Sequence, residues 1–136
     1  MLDHALESAF VAFLKNDPAL AEVYCFTEHD GEEHQLPAVT VSSKSESLAG
    51  SAVVFRAEVT LLVESEAHDS NPDDHAALVE HVRTRLSNKA ALGSSVNTGD
   101  RIRLYGYAFT SSSLDVDGSR FRTTLTLKAG YGIAAN

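Results

Sequence analysis

A single cysteine, Cys25, is the only thiol in the chain, so no intrachain disulfide can form and the fold must be held by packing. Folding in a reducing cytoplasm fits this. No apolar run reaches the roughly 18 residues that span a bilayer, so no membrane partner is expected. The opening Met1-Leu2-Asp3-His4 has no basic segment followed by an apolar stretch, and no signal peptide is expected. Bases are scarce: 11 Lys and Arg stand against 19 Asp and Glu, a net charge of −8. That balance excludes a general nucleic-acid coat, which needs clustered Lys and Arg. It leaves open a surface that lines a DNA conduit without gripping it.

Signatures of chemistry are missing too. His29 and His34, among Glu28, Asp30, Glu32 and Glu33 and near Cys25, match no zinc spacing, and one thiol makes no structural cluster. Asp69, Asn71, Asp73 and Asp74 lack the central glycine and terminal glutamate of a calcium loop. His75 and His81 are six apart, so they miss the HExxH spacing. Gly130-Tyr131-Gly132 imitates a dinucleotide fingerprint, but no helix follows it in the sequence. The serines of SSKSES and TSSS form no nucleophile elbow. Cys25 lies in an apolar strand and reads as a small buried residue. No convergent base, nucleophile and stabiliser emerges. The expectation is a non-enzyme with no metal and no cofactor.

What the chain does have is one domain's worth of ordinary globular sequence. At 136 residues, 43% hydrophobic and 22% charged, it can bury a core without staples, as a single domain over 1–136. Its charge is unevenly placed. Residues 1–82 hold 16 acids and 3 bases, and residues 83–136 hold 3 acids and 8 bases. Copies with one acidic and one basic end can attract head to tail, and such contacts close into rings or run on as filaments. Charge supplies orientation here, not fold.

Leu2, Leu6, Phe10 and Phe13 recur at helical spacing and predict a helix over 3–15, ended by Asn16-Asp17-Pro18. Residues 21–27 read as a short strand, 28–34 as an acidic turn, and 36–41 as a strand with Pro37 near its start. The small polar run 42–51 reads as a mobile loop. Alternation over 53–64 predicts a long strand. Asn71 as cap, Pro72 at the first helical position and two acids in the first turn predict a helix over 72–87. After a linker with at most one helical turn, 101–111 and 119–130 read as a hairpin turning at Asp117-Gly118. In that register Leu114 faces Phe121.

This order predicts an α+β fold: one antiparallel or mixed sheet of four to five strands, with two main helices packed on one face. The inner hairpin face carries Ile102, Leu104, Ala108, Phe121, Leu125, Leu127 and Tyr131. The outer face carries Arg101, Arg103, Tyr105, Tyr107, Phe109, Arg120, Arg122 and Lys128. Arginine with aromatics is the composition of an interface. Charge reversal at Arg120 and Arg122 is therefore expected to weaken assembly and leave the monomer folded.

The opening helix LESAFVAFLK, the strand LPAVTVSS and the segment SESLAGS before FRAEVTLLV resemble the tail terminator (tail completion) proteins of long-tailed bacteriophages. The helix DDHAALVEHVRTRL, then RIRLYGYAFTSS and RFRTTLTLKAGY, extend the likeness over nearly the whole chain. This is the group that includes the lambda minor tail protein U. The resemblance implies a virion protein, assembled in the host cytoplasm, that forms a hexameric ring. That ring would cap the tail-tube protein, end tail polymerisation and join the head-tail connector or head-closure protein. DNA would pass through without specific binding. Glu28, Asp30, Glu32 and Glu33 are then candidate lumen or rim acids, and Lys44, Glu46 and Leu48 a candidate docking loop. The alternatives are another neck component, such as a head-closure or tube protein, or a small cellular α+β ligand-binding protein or enzyme.

Overall fold

The computed structural model describes residues 3–28, 36–50, 53–66, 72–92 and 102–133. Helix α1 spans Asp3–Lys15, and its stripe of Leu6, Phe10, Phe13 and Leu14 is buried. A 3₁₀ turn at Pro18–Leu20 follows, with the Asp17 carboxylate accepting the Ala19 N–H at 3.0 Å. The expected strand from residue 21 is therefore shortened to β1, Tyr24–Thr27, because the Asp-Pro pair caps a turn before the strand begins.

Strand β2 runs Ala38–Ser47, β3 Val54–Glu66, β4 Ile102–Asp117 and β5 Arg120–Ile133. Helix α2 covers Pro72–Ser87, with Asp73 and Asp74 in its first turn and Arg85 in its last. A further helical turn at 89–92 succeeds it. The five strands form one mixed sheet in the order β1-β2-β3-β5-β4. Only β1 and β2 are parallel. This is the α+β class expected, with helices packed on the sheet.

Side-chain alternation divides the sheet into two faces. Val39 and Val41, the odd residues Phe55 to Val63, and Leu125, Leu127, Ala129 and Tyr131 are buried toward the helices. Arg85 ties the helices together. Its guanidinium donates to the Phe13 carbonyl at 3.1 and 3.0 Å and lies 3.8 Å over the Phe13 ring. A cation on the carbonyls of a helix's last turn also meets the negative end of its dipole.

Two expectations are corrected. Residues 42–47 are not a loop: Lys44 and Glu46 lie within β2, and Leu48 opens a 3₁₀ turn at Leu48–Gly50. Tertiary contacts override the weak strand propensity of the serines. β3 pairs with the whole segment, from Ala38↔Glu64 to Ser47↔Phe55. On the other side, the buried Glu7 carboxylate of α1 accepts the Ser43 N–H at 2.9 Å and its hydroxyl at 3.1 Å. β1 ends opposite Val41, so Glu7 serves where β1 no longer reaches. The hairpin also turns one residue later than expected, at Gly118-Ser119, with Asp117 opposite Arg120 and Leu114 opposite Thr123. Gly118 has φ +58, the left-handed conformation a two-residue turn asks of glycine. The apolar alternation of β5 enforces the register, since a one-residue slip would turn its whole core set outward.

Candidate subunit interface

The face of the sheet turned away from the helices is set by rows of cross-strand neighbours. One row is Thr40, Leu62, Thr124 and Ser113; the next is Ser42, Thr60, Thr126 and Ser111. Toward one end the rows become charged, with Lys44 beside Glu58 beside Lys128, then Glu46 beside Arg56 beside Gly130 beside Gly106. Arg56 and Glu46 approach at 3.9 Å, both well exposed, a pair of small energetic weight.

The expected interface residues are distributed differently from the simple alternation. β4 carries two bulges, between Leu104 and Gly106 and between Phe109 and Ser111. Each inserts one residue and reverses which face the following side chains take. Tyr107 is consequently not on the outer face. It is 6% exposed in the core, edge-on to Phe10, and its hydroxyl donates to the Leu86 carbonyl at the end of α2. That burial pushes its phenol up to about 12. Phe109 also turns toward the helices, half-buried, with the Arg83 guanidinium 5.4 Å from its ring centre. Ala108, placed inside from sequence, faces outward for the same reason. Tyr105 sits at the first bulge and is 69% exposed, and Arg103 is exposed. Arg101 lies outside the described residues, as do Asp30, Glu32 and Glu33; Glu28 is exposed.

Arg120 and Arg122 converge on Glu64, at 3.1 and 3.7 Å. Glu64 is 4% exposed although it is on the face turned away from the helices. Two guanidiniums roof this carboxylate, so reversing both charges would gather three acids at one spot. The sequence expectation of an intact monomer is therefore revised: that substitution attacks the fold before it reports on assembly.

At the opposite end of the same face lies a trough of about 300 Å³, lined in part by Leu48, Val54, Arg56, Tyr105, Lys128 and Gly130. A second depression of about 280 Å³, lined in part by Lys44, Glu46, Arg56, Glu58 and Lys128, adjoins it through Arg56 and Lys128. The trough exists because the floor is glycine. Gly106 and Gly130 pair directly, and a Cβ on either would meet open space. Gly132 differs: a Cβ there would come within 2.7 Å of the Tyr105 hydroxyl. The tyrosine ring lies over that glycine and forms the wall of the trough.

Polar chemistry also occurs inside the helix-bearing half. His75, 3% exposed, has Nδ1 2.6 Å from the Ser65 hydroxyl and Nε2 2.8 Å from the Thr123 hydroxyl. Its ring lies against Phe121. Burial holds its imidazole below the ordinary value of 6.5. Each ring nitrogen meets one hydroxyl, so the group is a satisfied core histidine joining β3, α2 and β5. Cys25 is buried, and desolvation pushes its thiol up to about 11, against a smaller lowering by Lys15. Among the described residues, no group of three His, Cys, Asp or Glu is placed to hold a metal ion, and no helix is long and apolar enough to cross a membrane.

Sequence reasoning missed the Glu64 cluster, the Glu7 contact and the glycine floor. A signal for the last was present: Gly130 and Gly132 alternate along one strand, which leaves one face of it without side chains.

No family model matches the chain, and no curated protein matches it. Among solved structures, a protein known by an identifier alone is similar over 98% of this chain and 93% of its own, with a TM-score of 0.55 at 12% identity. At that identity the likeness speaks for the fold alone.

Proposed function

We propose that the protein is a structural component of a phage tail, a ring-forming tail terminator that caps the tail tube and receives the head connector. The observation that carries this reading is a sheet with one face packed by helices and the other left uncovered by the described residues, bearing a glycine-floored trough at one end. An α+β domain of this order agrees with what the resemblance implies. The uneven charge and the uncovered face supply what a heterologous interface needs, two unlike surfaces on one subunit. Lys44 and Glu46 stand on a rigid strand, so their proposed docking role would be exercised from a preformed surface rather than by ordering of a loop. The exposed Glu28 remains a candidate rim acid, since like charge keeps phosphate from adhering.

Incubation of the purified protein with isolated tail tubes, followed by electron microscopy, tests this. Rings seated at one end of tubes that then stop growing are expected. Absence of rings and of any binding to tubes would overturn the reading. Unlimited self-polymerisation would instead indicate a tube protein.

A further inference from the structure

Helix α2 is anchored unevenly. Its C-terminal half buries Val82 and Leu86 in the core. Arg85 donates to the Phe13 carbonyl, and the Leu86 carbonyl accepts from Tyr107. The first two turns, Pro72 to Val79, bury a single side chain, His75. Pro72, Asp73, Asp74, Ala76 and Ala77 are exposed, and Leu78 and Val79 are half-buried. What ties these turns to the sheet is therefore chiefly the imidazole, with Ser65 of β3 on one nitrogen and Thr123 of β5 on the other. Beside the ring lies a cavity of about 260 Å³, lined in part by Pro37, Ser65, Glu66, Asp74 and Leu78. On that side His75 borders space rather than packed side chains, so few contacts are lost if the turns move.

We infer that His75 is an acid-sensitive latch: a proton on its ring releases the first two turns of α2 from the sheet while the rest of the helix stays docked. The Ser65 and Thr123 hydroxyls can accept from an imidazolium as well as serve a neutral ring, so protonation removes no partner. What opposes the charge in the closed state is the loss of water. The charged groups near the ring are few. Asp74 of α2 and Glu66 of β3 line the cavity, both exposed. β5 presents Thr123 and Phe121, and the Leu36-Pro37 segment carries no charge. Glu64, Arg120 and Arg122 stand on the other face of the sheet. The two exposed carboxylates act through water, where their pull on the cation is weak, and burial outweighs them, holding the ring below 6.5. Once the turns open, the ring meets water and titrates near its ordinary value. Protons therefore bind the open form first and draw the population toward it as pH falls through about 6.5.

Amide exchange of the full chain, read residue by residue, tests this. Leu78 and Val79 should be less protected than Leu86 and than Val59 at the sheet centre. Their protection should also respond little to low urea, the mark of an opening smaller than global unfolding. Between pH 7.5 and pH 5.5 their protection, corrected for intrinsic exchange, should fall about tenfold. His75→Gln should keep the opening and lose its pH dependence. His81→Gln, at an exposed position of the same helix, should keep both. Titration of the His75 ring by NMR needs no variant, and its midpoint in the intact chain should lie below 6.5. Equal protection and equal urea response at Val79 and Val59 would show that the helix leaves only with the whole fold, and would overturn the latch. So would a local opening indifferent to pH, a pH dependence that survives in His75→Gln, or a ring midpoint at or above 6.5. None of these results bears on the ring reading, which rests on the sheet face turned away from α2.

Discussion

Tyr107 shows how one side chain can serve two elements. Its ring fills the core beside Phe10 while its hydroxyl satisfies the Leu86 carbonyl, one of the acceptors that a helix end leaves over. Tyr107→Phe should therefore cost about 1–3 kcal/mol, the penalty for a buried acceptor left unmet, measured by urea unfolding. His75 makes a pH-dependent contribution of definite sign. Burial lowers its pKa in the folded chain, so the unfolded chain takes up a proton first. The stability it confers is complete above the unfolded value of about 6.5 and is lost as pH falls through that value toward the folded one. Urea midpoints should drop between about pH 8 and pH 5.5, and His75→Gln should reduce the drop. An equal drop in the variant would assign the effect to other groups. At Glu64, substitution by Gln should destabilise by about 1–3 kcal/mol, the partly exposed guanidiniums holding the cost below that of a fully enclosed pair.

Among the elements, β2 depends on a contact from another part of the chain. Glu7 lies 36 residues before Ser43 and accepts both its N–H and its hydroxyl. Glu7→Ala should speed amide exchange at Ser43 and cost about 1–3 kcal/mol, whereas exchange at Val63 in the sheet centre should change only as global stability does. This is also where sequence reading succeeded and failed. Both helices were legible to the residue, because the Leu6-Phe10-Phe13 stripe and the Asn-Pro-Asp-Asp start are local signals. Strand β3 was legible from its alternation. The strand at Ser42–Ser47 was not, because its polar serines are held by Glu7, by β3 and by Tyr131, whose hydroxyl donates to Ser45 at 2.7 Å. Nor were the outward faces of β4. Two inserted residues invert an alternation that otherwise looks regular, and nothing in YGYAFTSSS marks them except Gly106. Arg120 and Arg122 were correctly placed outward, but their buried partner Glu64 lies 56 residues before Arg120. A pairing of that separation is set by topology.

At the scale of the whole molecule, the described helices pack one side of the sheet and leave the other side open. On the proposed ring reading, such a subunit meets its copies head to tail. The uneven charge of the sequence supports the same reading. The central claim is that such contacts close. Sedimentation of the intact protein over a concentration series measures this most directly. The account predicts one discrete multi-subunit species whose mass stops rising once the ring is complete. A monomer at every concentration, or a mass that climbs without limit, would contradict it.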